Sequence, residues 1–230
     1  LQDAQFDGLT EGAMLTAKYQ PQTMADFVGL DKPRAILGKL LAQPGSKAVL
    51  LYGESGIGKT AMGQAIARQL GAETRNGTFI HIPARKCNLE SVAEVVERTT
   101  YPPLYGSWYV VLVDEIDTMT QAAQDAWLSI LDSTEMPANT VFVFTCNEGP
   151  KSHGGLPENL SARFLSRLLT IPFSNYGLNG EGSAWLGTVW DREGGGEPRP
   201  DFVRILKDNR NNLRAGLMVL ERELLQRGSA

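Results

Sequence analysis

The sequence predicts an α/β fold, a doubly wound parallel five-stranded sheet followed by a small C-terminal all-helical domain. Three observations carry that prediction. Short apolar runs alternate with segments whose apolar residues recur at helical spacing, at intervals that suit right-handed crossovers with helices on both faces of the sheet. The first apolar run stops at a glycine-rich stretch that leads directly into a helical segment. The third stops at two adjacent carboxylates, Asp114 and Glu115.

Residues 1–14 lack periodicity and read as a flexible, acidic arm. Within 31–43, Ile36, Leu37, Leu40 and Leu41 mark one helical face, with Asp31 as candidate N-cap and Pro33 near the first turn. Residues 48–52 form a short apolar run ending at glycine, as a buried parallel strand does. A helix over 59–70 follows from Ala61, Met62, Ala65, Ile66 and Leu70, and Gly71 ends it. Strands are then expected over 78–82, 109–113, 140–145 and 168–173, and helices over 89–98, 121–132 and 160–167. After Phe173 the pattern changes. Gly194–Gly196, Pro198 and Pro200 separate a short helix at 184–190 from helices at 202–207 and 213–225.

Composition sets outer bounds. The 230 residues are 42% hydrophobic and 21% charged, ordinary for a globular chain. With 22 Lys and Arg against 26 Asp and Glu, the net charge of −4 argues against a strongly basic nucleic-acid binder, although local patches set the field that a ligand meets. Cys87 and Cys146 match neither a disulfide framework nor a metal-ligand spacing, and are expected to be reduced. No apolar run approaches the roughly 20 residues of a membrane span, and no secretory leader opens the chain, so an intracellular, cytoplasmic location without membrane contact is expected. His81 and His153 lack ligand partners and read as structural.

The chemistry begins at Gly53-Glu54-Ser55-Gly56-Ile57-Gly58-Lys59-Thr60, which fits the P-loop pattern G-x-x-x-x-G-K-[ST] without a mismatch. The glycines let successive N–H groups aim at phosphate oxygens, and the helix opening at Lys59, Thr60 and Ala61 presents its positive end to the same anion. Lys59 can reach the β and γ phosphates of ATP, and the Thr60 hydroxyl can ligate Mg²⁺. Asp114, at the strand end beside this loop, is placed to hold Mg²⁺; Glu115 is placed to take a proton from an attacking water. Asp117 reads as a cap or surface residue. Asn147, directly after a buried strand, can orient the attacking water or simply cap the strand. Arg163 and Arg167 share a helical face and compete as the arginine offered to a neighbouring subunit; Arg214 could reach back to bound nucleotide from the last helix.

These residues, in this order, resemble those of the AAA+ ATPases, most closely the clamp-loader small subunits of replication factor C type. Lys18-Tyr19-Gln20-Pro21-Gln22-Thr23 and Asp26-Phe27-Val28-Gly29 are similar to the family's adenine-side entry motif, which implies that Tyr19, Pro21 and Val28 line the base; Gln20 stands where the family has arginine. The run from Asp114 through Ala126 follows the family's second acidic motif, whose glutamine, here Gln124, couples the nucleotide site to DNA. Thr145-Cys146-Asn147 resembles the sensor-1 strand end, and Asn212-Leu213-Arg214 the sensor-2 helix. The resemblance thus implies a nucleotide-binding domain over 15–173 and a helical lid over 174–230, without the clamp loaders' collar. It also implies hydrolysis at interfaces between self or paralogous subunits in a ring or spiral, and contact with the DNA backbone. A partner protein, such as a sliding clamp or a helicase, goes with these. For the trans arginine, Ser166-Arg167-Leu168 and Ala162-Arg163-Phe164 both remain open. Two other functions also remain: a ring- or filament-forming remodeller (helicase loader, transposition regulator or branch-migration motor), and a nucleotide-gated scaffold without useful turnover. Arg85 and Lys86 read as a solvated basic loop that could touch DNA.

Overall fold

A computed structural model of the protein describes residues 13–227 apart from 44, 133, 135 and 148–155. Residues 1–12 of the arm expected over 1–14, and the segment 148–155 with His153, lie outside the described residues. Helix α1 (Leu15–Lys18) is followed by α2 (Asp31–Leu41), β1 (Lys47–Gly53), α3 (Lys59–Gln69), β2 (Phe79–Pro83), α4 (Leu89–Thr99), β3 (Tyr109–Asp114) and α5 (Gln121–Leu131). Then come β4 (Thr140–Asn147), α6 (Ala162–Leu165), β5 (Leu169–Pro172), α7 (Asn179–Arg192), α8 (Phe202–Asp208) and α9 (Leu213–Arg227). The strands form one parallel sheet in the order β2-β3-β4-β1-β5.

Alternation along each strand divides the core into two layers. Val49, Leu51, Val110, Leu112, Val141 and Val143 face α2 and α3, where Leu37, Met62 and Ile66 are fully buried. Leu50, Val111, Val113, Phe142 and Phe144 face α4 and α5, around the buried Trp127. Both faces of the sheet are therefore apolar, which is why β1, β3 and β4 read as continuous hydrophobic runs. Trp127 meets Phe142 and Phe144 edge to face and donates its indole N–H to Cys87 Sγ at 3.1 Å. Cys87 and Cys146 are both buried free thiols.

A third cluster gathers the C-terminal helices around Leu186, Trp190, Leu206 and Leu220, and draws in Leu15 and Tyr19 from the N-terminal segment. Helix α7 begins five residues before the sequence pattern suggests, at Asn179. Glycines in that first turn weaken the helical signal, but they serve packing: a Cβ on Gly182 would lie 2.9 Å from Leu206 Cδ1. The helix expected over 160–167 is only one turn, α6, N-capped by the Ser161 hydroxyl on Phe164 N–H. Arg167 therefore lies beyond it, and the two arginines do not share a helical face. Among the described residues, no helix is long and apolar enough to cross a membrane.

Strand register brings the functional ends together. Gly53 pairs with Asn147 between β1 and β4, Pro83 with Asp114 between β2 and β3, and Val113 with Phe144 between β3 and β4. The carboxyl ends of four strands thus open onto one edge, where α/β sheets place their ligands.

Candidate active site

The phosphate loop needs its glycines. Gly53, Gly56 and Gly58 have φ of 151°, 80° and 96°. A Cβ on Gly53 would lie 2.2 Å from the Phe173 carbonyl oxygen, and one on Gly56 2.5 Å from Asn212 Nδ2. At the start of α3 the Lys59 side chain turns back under the loop, where Nζ donates to Gly53 O at 2.8 Å and Glu54 O at 2.7 Å, and weakly to Asn147 Oδ1 at 3.4 Å. Lys59 is only 7% exposed. Burial lowers the pKa of its ammonium below the usual lysine value, against the opposing pull of Cys146, Asp117, Asp114 and Glu115. Among the described residues, no carboxylate comes within ion-pair distance of it. A buried cation without a counter-ion, beneath a loop of N–H groups at a helix N-terminus, fits the phosphates of a nucleotide.

The acidic pair is held by hydroxyls. Thr60 Oγ1 donates to Asp114 Oδ1 at 2.8 Å, and Thr145 Oγ1 donates to the same oxygen. Burial tends to raise the Asp114 pKa, but His81, with Nε2 3.9 Å from Oδ2, and the two threonines together hold it below the usual carboxylate value. An ionised carboxylate beside a hydroxyl suits a hard, oxygen-seeking cation. No cluster of three or more His, Cys, Asp or Glu among the described residues could enclose one. That combination fits Mg²⁺, which keeps its waters and shares its coordination with phosphates. Glu115 stands in the left-handed region (φ 60°, ψ 49°), and its backbone N–H donates to Thr145 Oγ1 at 3.0 Å. This turn exposes its side chain beside the Asp114 carboxylate; a left-handed residue with a side chain costs about 1–2 kcal/mol. Thr145 therefore orders both acids, and sequence reasoning missed it. Its signal is positional, one residue beyond the Val113–Phe144 pair.

Asn147 ends β4 with its amide between Lys59 and Asp117. Asp117 Oδ1 accepts the Asn147 backbone N–H at 3.1 Å, and Oδ2 accepts from Nδ2 at 3.4 Å. Asp117, read from the sequence as a cap or surface residue, caps the end of β4 through that backbone contact; its side chain is half-buried and turned toward Asn147.

A cleft of about 570 Å³ opens beside the loop. Tyr19, Pro21 and Val28 line one wall, Gly56 to Gly58, Thr60 and Ala61 the floor, and Leu213, Arg214 and Leu217 the other wall. The Tyr19 hydroxyl is directed away, donating to Glu193, which also pairs with Lys18 at 2.8 Å. Gln20 donates to Gln64 Oε1 at 2.7 Å, so the departure at this position is absorbed by α3. Two asparagines join the loop to the helical region. Asn212 donates to Ser55 O at 2.9 Å while accepting from Ala215 N–H, and Asn175 donates to Glu54 Oε2 at 3.3 Å and to Arg210 O. Asn175 does not stand out in the sequence, and Asn212 does so only as the start of the sensor-2-like run, with no contact to the loop implied.

Arg214 faces the cleft without a hydrogen-bond or ionic partner among the described residues. Arg163 and Arg167 do not line it. Arg167 is half-buried, paired with Asp132 at 3.3 Å and donating to Arg163 O at 2.9 Å. Arg163 is exposed, and its guanidinium has no partner among the described residues.

Known proteins are similar to this chain in sequence or in fold. The chain is 26% identical over 177 residues to DNA polymerase III subunit tau of Salmonella typhimurium, covering 68% of this chain and 26% of that protein. It is 28% identical over 149 residues to the replication factor C small subunit of Methanocella arvoryzae, covering 62% of this chain and 45% of the other. An uncharacterized AAA domain-containing protein of Mycobacterium tuberculosis is 29% identical over 128 residues, 54% of this chain and 27% of that protein. The chain thus spans about a quarter of the length of the last of these and of the tau subunit. The RuvB Holliday junction branch migration motor of Thermotoga maritima shares the fold, with a TM-score of 0.69 over 92% of this chain and 68% of that one at 17% identity. The sequence profile of the ATPase family associated with various cellular activities (AAA) matches residues 49–171, more than half of the chain. That span runs from β1 to β5 and holds the phosphate loop, the acidic pair and Asn147, and by it the chain belongs to the ATPase family associated with various cellular activities.

Proposed function

We propose that the protein hydrolyses ATP, with Mg²⁺, at interfaces between AAA+ subunits and that this drives a DNA-replication or DNA-processing machine of clamp-loader-like kind. The observation that carries the ATPase reading is the buried Lys59 ammonium beneath the glycine loop, without a counter-ion among the described residues, near the hydroxyl-held Asp114. In this reading residues 15–173 bind the nucleotide and residues 174–230 form the lid. Tyr19, Pro21 and Val28 pack the base; Gly53 to Thr60, with Ala61, hold the phosphates; Thr60 and Asp114 hold the metal. Mg²⁺, when bound, offsets the charge on the phosphate oxygens. Glu115 takes the proton of a water directed by Asn147 at the γ-phosphorus, and the bond to the ADP oxygen breaks as the new one forms. Lys59 and Arg214 stabilise the departing negative charge from within the subunit.

For the arginine offered to a neighbour, the contacts favour Arg163. A guanidinium committed to its own subunit's Asp132, as Arg167 is, has both its charge and its direction spoken for. Arg85 and Lys86, exposed on the turn Ala84–Lys86 before α4, support contact with DNA phosphates. Tyr101, Leu104 and Tyr105, exposed by 75%, 94% and 65% between α4 and β3, support a protein partner. The sequence relatives named above, replication factor C and DNA polymerase III tau, support the replicative setting.

Steady-state ATP turnover of the wild type and Glu115→Gln, with and without primed DNA, tests this. DNA-stimulated turnover in the wild type is expected, with a loss of about 100-fold or more in the variant and binding of ATP retained. Turnover indifferent to DNA would favour a protein remodeller. Absence of turnover at every protein concentration would leave only a nucleotide-gated scaffold.

A further inference from the structure

Asp117 takes no part in the chemistry just described, yet its carboxylate is aimed into the site. It grips Asn147 twice, through the backbone N–H at 3.1 Å and the side-chain Nδ2 at 3.4 Å. A residue that merely closed the end of β4 would need only the first contact. On the opposite side, Asn147 Oδ1 accepts from Lys59 Nζ at 3.4 Å. A carboxylate can only accept and an ammonium can only donate, so these two neighbours admit one orientation of the amide, oxygen toward Lys59 and nitrogen toward Asp117. One N–H of Nδ2 is then left for a water or a phosphate oxygen. Asp117 is itself fixed from behind, since its backbone carbonyl accepts from Asn159 Nδ2 at 2.8 Å.

We propose that Asp117 is a positioning residue of the hydrolytic site, which sets the orientation of the Asn147 amide beside Lys59 without touching nucleotide. Its kinetic consequence rests on the ATPase reading; the orientation itself is a property of the protein without nucleotide. The substitution Asp117→Asn isolates the effect. It keeps the volume and one acceptor oxygen, but it can place an NH₂ group where Oδ2 stood, so that two donors face each other and the Asn147 amide loses its fixed direction.

Two measurements test the proposal. The first follows the Asn147 side-chain NH₂ pair in the ¹⁵N spectrum of nucleotide-free, asparagine-labelled protein, assigned by its loss in Asn147→Ala. In Asp117→Asn the pair is expected to shift and to exchange with water faster. An unmoved pair overturns the proposal, whether or not the protein hydrolyses ATP. The second is turnover. Asp117→Asn is expected to lower kcat about 10- to 100-fold, the scale of loss when a reacting group is slightly misplaced, with KM for ATP and the melting temperature close to wild type. The double variant Asp117→Asn/Asn147→Ala should then be no slower than Asn147→Ala alone. A wild-type kcat in Asp117→Asn, or losses that multiply in the double variant, would also overturn it. A shifted NH₂ pair in a protein that never turns over ATP would uphold the orientation and remove the ATPase reading instead.

Discussion

Thr145 shows how much of the site depends on groups with no chemistry of their own. Its single hydroxyl accepts from the Glu115 backbone N–H and donates to Asp114, so one side chain fixes the Asp114 carboxylate and the turn that carries Glu115, the metal-holding group and the base of the proposed function. Valine has the same shape without the hydroxyl. Thr145→Val is therefore expected to strand the Glu115 N–H at a cost of about 1–3 kcal/mol, seen as a lower melting temperature. It should also reduce kcat by about 10-fold or more, because the orientation of both acids is loosened. Unchanged turnover and melting in this variant would show that the β3 and β4 ends hold their geometry without the bond. The places of Lys59 and Thr60 were readable from the P-loop spacing alone, since they follow from the loop's backbone. Thr145 and Asp117 were not, because what they touch depends on β3 and β4 lying in a particular register.

At the scale of elements, the strands were legible because both faces of the sheet are covered, and the run of apolar residues has no interruption to misread. Helix α1 was not: four residues carry too little periodicity, and the turn is held by Leu15 packing among the C-terminal helices. The same segment bears the link between the nucleotide entry and the helical region, where Glu193 receives Lys18 and the Tyr19 hydroxyl. Burial tends to raise the Glu193 pKa, but these two partners hold it below the usual value, while burial and then Glu193 push the Tyr19 hydroxyl above its usual value. A carboxylate whose folded pKa is depressed contributes stability above its unfolded value of about 4.3, and that contribution is lost as pH falls through the lower folded value. Docking of α1, followed through the fluorescence of Trp185 beside Tyr19, should weaken over that acid range in the wild type. The step should be absent in Glu193→Gln; an identical acid profile in the two proteins would remove this ion pair from the account.

For the whole molecule, the contrast between the two arginines predicts how subunits would work together in the proposed assembly. In a mixed assembly, Lys59→Ala subunits lack a working site but still offer Arg163, whereas Arg163→Ala subunits keep a site but offer nothing. Neither should turn over ATP alone. Mixing them should restore part of the wild-type rate, up to about a quarter if subunits combine at random and one intact interface suffices. Arg167→Ala should remain active by itself apart from the loss of its Asp132 pair. Recovery with Arg167→Ala in place of Arg163→Ala would exchange the two roles.

The sequence by itself determined the alternating α/β order, the phosphate loop, and the carboxylates and asparagine at the strand ends. Each is dictated by local periodicity or by a motif whose spacing is its geometry. Tertiary structure alone decided which side chains meet across elements: Thr145 and Asp114, Asp117 and Asn147, Asn212 and the Ser55 carbonyl, Arg167 and Asp132. These contacts depend on strand register and on how the helical region lies against the loop. Both are set by the burial of whole faces and by chain segments far apart in sequence, so no local pattern records them.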